Sequence, residues 1–332
     1  MTRKKSILMM IAVLVIAVPI IVTGYTERSQ QAPPQQDVQD ADKAQKQPVL
    51  KVDVELVVVT ATVTDPQNRY VTGLEQENFQ VFEDKIEQKI EYFSSEDVPL
   101  TVGIVFDISG SMKDKLSTAR DAAVTFLKTG NPDDEYFMVA FANRPEVVED
   151  FTTDITRLQN NLIQHAAKGM TALYDSVYVG LDKLKDGNNS KKALLLITDG
   201  EDNRSRYTFS NVKEFVKEQD VQIYAIGIVN DWNSQLGSGR TGRALIEELS
   251  ELTGGRSFFP DSVQELEDIC TKIAIELKNQ YVIGYKSTNE AKNGKWRNLR
   301  VRINPPKGLP HLNVRSRSGY YGPSGTPGPA NN

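Results

Sequence analysis

Asp107, Ser109 and Ser111 alternate along "DISGS", directly after the apolar run Leu100–Phe106. In an extended or turning loop, alternate residues face one side, so these three side chains can converge while Ile108 points into the core. Further along, Thr171 stands in "GMTALYDS" and Asp199 closes "LLLITD". If the loops carrying them lie side by side, two carboxylates and three hydroxyls face one point. Such a set holds only oxygen donors, which selects a hard divalent cation: Mg²⁺, with Mn²⁺ or Ca²⁺ as alternatives, over zinc or copper. Two carboxylates bring a dication near neutrality, and neutral hydroxyls bind it weakly enough to admit a water or a partner's carboxylate. A competing reading is helix capping. Serine and aspartate at Ser109–Asp114 would cap a helix starting near Leu116, and Thr171 one starting at Leu173.

The elements that must position these residues are legible between Pro99 and Gln280. "LTVGIVF", "YFMVAFA", "KALLLIT" and "VQIYAIGIV" are continuous apolar runs, as strands buried on both faces of a parallel sheet require. Between them Leu116, Ala119, Ala123 and Leu127, and later Leu173, Val177, Leu181 and Leu184, recur at helical spacing. This alternation predicts an α/β domain over residues 99–280, an open, doubly wound, mostly parallel sheet. Ligands of such sheets bind outside the carboxyl ends of the strands, where Asp107 and Asp199 fall.

The flanks read differently. Over residues 49–98 apolar positions alternate: Val52, Val54, Leu56 and Val58, then Val59, Ala61 and Val63, a phase slip that predicts a bulge at Val58–Val59. "DPQN" is a turn, and "FQVFEDKIEQKIEYF" predicts two strands around a turn near Asp84. Over residues 281–321 "YVIGYKS", then Leu299, Val301 and Ile303, then Leu312 and Val314 mark three more strands. Neither flank carries a convincing core of its own, so the expected architecture is an α/β domain inserted into one β-sandwich built from both flanks.

Asp-x-Ser-x-Ser after a buried strand, the threonine of "GMT" and "TDG" after a later strand together resemble the metal-ion-dependent adhesion site of von Willebrand factor type A domains. "LTGGRSFFPDSVQEL" is similar to the last strand and the start of the final helix of that family, so the likeness covers about residues 99–280. It implies that Ser109, Ser111 and Thr171 are hydroxyl ligands and that Asp107 and Asp199 bind the metal directly or through water. It also implies a protein-binding rather than an enzymatic role, with an acidic side chain of the partner completing the metal. The flanks resemble an exported bacterial subfamily of unassigned function. Two rival functions stand beside this one: a structural or assembly role in which the metal only orders loops, and metal-assisted hydrolysis, which would need a general base the motif loops do not offer.

Composition narrows the rest. A net charge of −5 over 332 residues gives no electrostatic footprint for nucleic acid, and the single Cys270 excludes an internal disulfide framework or a cysteine zinc cage. Cys270 falls on the apolar side of a helical pattern with Leu266, Ile273 and Leu277, as a buried thiol does. Arg3, Lys4 and Lys5 precede an unbroken apolar run, Ile7–Val22, so residues 1–24 read as a cleaved signal peptide or a retained membrane anchor. Either one exports the chain to the periplasm or beyond the cell. Residues 25–48 read as a disordered linker and 322–332 as a flexible tail. Oligomeric state is left open by the sequence. Glu201 and Asp202 read as a solvated loop, Asp175 as a support for the Thr171 loop or an exposed carboxylate. His165 and His311 read as surface or capping residues, and the polar stretch 230–243 as a long connection on the metal side of the sheet. Asn188 and Asn203 match a glycosylation pattern.

Overall fold

The computed structural model describes residues 56–200, 202–228 and 238–325. The proposed export segment and linker, Val52, Val54, Glu201, much of the 230–243 stretch and most of the tail lie outside the described residues. Among the described residues no helix is long and apolar enough to cross a membrane.

Four strands come first: β1 (Val57–Thr64), β2 (Phe79–Glu83), β3 (Ile86–Gln88) and β4 (Ile90–Ser94). The α/β unit follows as β5 (Leu100–Asp107), α1 (Leu116–Thr129), β6 (Glu135–Phe141), β7 (Pro145–Thr152), α2 (Ile155–Gln164), α3 (Leu173–Leu184), β8 (Lys191–Thr198), α4 (Phe209–Lys217), β9 (Gln222–Gly227), α5 (Ser238–Thr253), β10 (Arg256–Phe258) and α6 (Leu266–Lys278). The chain ends in β11 (Tyr281–Tyr285), β12 (Trp296–Ile303), β13 (Asn313–Ser316) and β14 (Gly319–Tyr321).

The central sheet has the order β10-β9-β8-β5-β6-β7, parallel except for β7. Helices α1, α2 and α6 pack on one face, through residues such as Phe126, Leu158 and Ile273, and α3, α4 and α5 on the other, through Val177, Val212 and Ile246. Every residue of β5 is therefore buried, which explains its unbroken apolar run. The chain leaves β5 toward β6 and returns to its other side at β8, so the strand order reverses between β5 and β8. The crevice for a ligand lies at their carboxyl ends. Edge strand β7, "PEVVEDFT", was not foreseen: its charged, half-exposed pattern suits a sheet edge and hides it from a search for apolar runs.

Two antiparallel four-stranded sheets, β13-β1-β11-β4 and β14-β12-β2-β3, draw strands from both flanks. Val59, Ala61 and Ile283 of the first pack with Phe79, Val81 and Val301 of the second in one core, so the flanks do form a single sandwich around the inserted domain.

In the flanks three expectations are corrected: residues 79–94 hold three strands rather than two, β4 joining the other sheet, residues 281–321 hold four rather than three, and the phase slip in β1 is not a bulge. Val57 to Ala61 pair one for one with Tyr285 to Tyr281, with no bulge at Val58–Val59. The irregularity lies on the other side of β11, at Gly284/Tyr285 against β4. Val59, Ala61 and Val63 face the sandwich core, while Leu56 and Val58 belong to the opposite face. Leu56 and Val58, partly exposed, line a cavity shared with residues of the α/β unit, which accounts for apolar side chains on that second face. Part of it is sealed by a buried hub. Glu276 of α6 accepts hydrogen bonds from Tyr224 Oη (2.8 Å), Thr62 Oγ1 (3.2 Å) and Tyr70 Oη (3.2 Å) and from the Arg315 guanidinium, joining α6 and β9 to the β13–β1 side of the sandwich.

Candidate metal centre

Helix capping does not explain the hydroxyls. The residue before α1 is Lys115 and that before α3 is Ala172, and neither helix takes a side-chain cap. The short 3₁₀ turn Gly110–Met112 follows Ser109, again without a side-chain cap. Ser109, Ser111 and Thr171 are thus free of the task that would most simply account for them.

Asp107 ends β5 fully buried. Its Oδ1 accepts the Ser109 N–H (2.8 Å) and its Oδ2 the Thr198 hydroxyl of neighbouring β8 (2.7 Å). Burial and the adjacent Asp199 charge push its carboxyl up to about 6, against the lowering effect of the Ser109 and Thr198 bonds. Ser109 is buried, Ser111 exposed, and their hydroxyl oxygens lie 3.0 Å apart. Asp199, one residue beyond β8 and only 7% exposed, keeps Oδ1 buried without a hydrogen-bond partner among the described residues. Its Oδ2 stands 3.9 Å from Lys115 Nζ, which also donates to the Ile228 carbonyl just past β9 (3.0 Å).

Backbone bonds stitch the loop of Thr171 to these strands. Gly110 N–H donates to Gly169 O (3.0 Å), Lys168 N–H to Ile108 O (2.9 Å) and Ala172 N–H to Ala142 O (2.8 Å). Gly169 has φ +88°, and a Cβ on Gly110 would meet the Gly169 carbonyl at 3.2 Å, so both glycines serve this close approach. Thr171 is buried, and Asn203 Oδ1 accepts its N–H (2.8 Å) while Thr171 O accepts the N–H groups of Asn203 and Arg204. Asp175 is not the exposed carboxylate that was one of its two readings: it is buried and accepts the N–H groups of Arg206 (2.9 Å) and Tyr207 (3.0 Å), in the loop whose Asn203 meets Thr171. Asp202 accepts the N–H groups of Arg204 and Ser205.

The structure thus gathers the loops of Asp107, Ser109, Ser111, Thr171 and Asp199 at the switch point. The histidines stand outside this cluster, His165 as the C-cap of α2 and His311 exposed ahead of β13. Among the described residues no three His, Cys, Asp or Glu side chains come together as a transition-metal cage would. The donor set fits a hard cation: a spare buried carboxylate oxygen, a second carboxylate fixed beside it, and the Ser109 and Ser111 hydroxyls within hydrogen-bond distance of one another. The roles not read from the sequence are those of Thr198, Lys115 and Asn203, and of Asn143, whose Oδ1 accepts the Met170 N–H (2.9 Å); all are contacts across the fold.

Comparison with known proteins bears on the fold. The family model of the von Willebrand factor type A domain matches residues 101–272. Solved structures similar to the chain include the conserved hypothetical protein BatB from Bacteroides thetaiotaomicron, 18% identical with a TM-score of 0.43, covering 54% of this chain and 99% of that one. A von Willebrand factor type A protein from Catenulispora acidiphila is 11% identical with a TM-score of 0.46, covering 79% of this chain and 73% of that one. The vWF domain of the type V pili tip protein Mfa5 from Porphyromonas gingivalis is 14% identical with a TM-score of 0.43, covering 55% and 97%. Among curated proteins none matches.

Proposed function

Because the chain belongs to the von Willebrand factor type A domain family, we propose that it is a metal-dependent protein-binding module. Asp107, Ser109, Ser111, Thr171 and Asp199 would hold a Mg²⁺ ion, with Mn²⁺ or Ca²⁺ as substitutes, and the ion would supply an electrophilic point for an acidic side chain of a partner. The observation that carries this reading is Asp199 Oδ1, buried and unpartnered among the described residues beside a carboxylate whose two oxygens are both engaged. A buried carboxylate oxygen without a donor is costly unless a cation meets it.

The partner's acidity is supported by the rim. Lys113, Lys168 and Arg204 are exposed on the loops that carry the donors, against exposed Asp114 beside Lys113, and an excess of cationic rim charge favours and steers an anionic partner. A binding rather than a catalytic role is supported by the carboxylates being committed to the donor cluster, with both histidines outside it. The basic residues and apolar run within 1–24 support a location outside the cytoplasm, secreted or tethered.

Calorimetric titration of the chelated protein with Mg²⁺ tests the reading. Saturable binding that is lost in Asp107→Ala, and retention of a partner only while Mg²⁺ is present, are the expected outcomes. Full partner affinity in excess EDTA would overturn it. Metal that raises melting temperature without changing partner affinity would favour the structural role instead.

A further inference from the structure

The outward face of the sheet β13-β1-β11-β4 is closed at Thr62 by the Glu276 hub, but its other end stays open. There a cavity of about 500 Å³ lies between that face and the amino-terminal edge of the α/β sheet. This volume is typical of small-molecule sites, which favour such domain boundaries.

Two features give the cavity a chemistry. Its wall is apolar where the two units meet: Leu56, Val58, Tyr92 and Val282 of the sandwich line it together with Val216 and Leu252. Leu56, Val58 and Tyr92 remain 40%, 38% and 49% exposed, a concave cluster rather than scattered surface residues. Its floor carries buried donors. Lys191 is only 8% exposed, yet no carboxylate lies within ion-pair distance of it among the described residues, and its Nζ is met by the Leu277 carbonyl. Gln222 on adjacent β9, 7% exposed, has Nε2 buried without a hydrogen-bond partner among the described residues. A buried ammonium without a contacting carboxylate and an amide donor without a partner among the described residues are both costly, and an arriving carboxylate would offer them acceptors.

We propose that this cavity binds an aliphatic carboxylate, its chain against Val58, Tyr92, Val282 and Leu252 and its head at Lys191 and Gln222. Arg317 also lines the cavity but is paired at 3.0 Å with Asp220, another lining residue, so among the described residues the unpaired positive charge at the head is that of Lys191. The charge of the site is thus positive where the head would sit, and its wall is apolar where the chain would lie. Burial also pulls the Lys191 ammonium down to about 8, against the opposing attraction of Asp97 and Asp134, and a bound carboxylate would stabilise the charged form. The cavity lies at the edge of the sheet away from Asp107 and Asp199, so it stands or falls independently of the metal centre.

The test is calorimetric titration of the full chain with dodecanoate and, as an uncharged counterpart, dodecanol. Dodecanoate is expected to bind saturably and about tenfold more tightly than dodecanol, the increment of one charge-assisted hydrogen bond. Lys191→Met should erase that preference while leaving dodecanol binding in place. Val58→Trp, which fills the cavity from an outward-facing position, should abolish both. Absence of saturable dodecanoate binding in the wild type overturns the proposal. So does dodecanoate binding in Lys191→Met and Val58→Trp equal to that of the wild type.

Discussion

The Thr198 hydroxyl donates to Asp107 Oδ2 at 2.7 Å, tying the last residue of β8 to the last residue of β5 at the point where strand order reverses. With the Ser109 N–H on Oδ1, this bond fixes the carboxylate in one orientation before any cation arrives. Thr198→Val keeps the shape and removes the donor. Its Mg²⁺ affinity, read by calorimetry, should fall about tenfold, the worth of one oriented hydrogen bond to a charged group. Thr198→Ser should restore it. Unchanged affinity in the valine variant would mean that strand geometry alone orients Asp107.

Lys115 makes the opposite prediction. Its ammonium stands 3.9 Å from Asp199 Oδ2 and competes with any cation drawn to the same carboxylate. Lys115→Met should tighten Mg²⁺ on the order of tenfold, because repulsion between two cations in a part-buried site is removed. The same change removes the bond to the Ile228 carbonyl, so the metal-free protein should melt about 2–4 °C lower. Weaker Mg²⁺ binding would show that Lys115 organises the site rather than competing for it.

Glu276 is fully buried and gathers Tyr224, Thr62, Tyr70 and Arg315. Glu276→Gln preserves its volume but leaves the Arg315 guanidinium without its anion. Removing one partner of a buried pair costs about 3–5 kcal/mol. Urea denaturation should show a loss of this order, and a transition that splits in two would mark the hub as the joint between sandwich and α/β unit.

The buried Lys191 gives a pH signature. Its folded-state value, about 8, lies below the ordinary lysine value, so between the two the unfolded chain binds more protons than the folded one. Stability should therefore rise as pH increases from about 7.5 toward 9. Above about 9 the trend is opposed by Cys270, whose thiol burial pushes up to about 12 and which the unfolded chain ionises first. Denaturation midpoints in this window should climb in the wild type and flatten in Lys191→Met. A slope that survives the substitution would assign it to another group.

The candidate donors were legible because their information is local. Asp107, Ser109 and Ser111 occupy alternate positions of one loop, and strands buried on both faces write themselves as apolar runs. What escaped was written across the chain. Thr198 matters through a residue 91 positions away, Asn203 through one 32 away, and Lys115 through Ile228, 113 away. No local pattern distinguishes these from ordinary threonine, asparagine and lysine. Leu56 and Val58 misled for a related reason. Period-two alternation tells which residues share a face, but not whether the second face meets water or another domain, so an apolar second face looked like a slipped register. The charged edge strand β7 was lost because a sheet edge needs no apolar run.

Ser94, near the end of β4, pairs with Val282 at the start of β11, so the whole α/β unit leaves and rejoins the sandwich across one strand spacing of about 4.8 Å. Mechanically the unit is a side branch. Tension applied between β1 and β14 passes through the ladders and shared core of the sandwich and bypasses the loops around Asp107 and Asp199. A binding site placed on such a branch keeps its geometry while the chain that bears it is pulled.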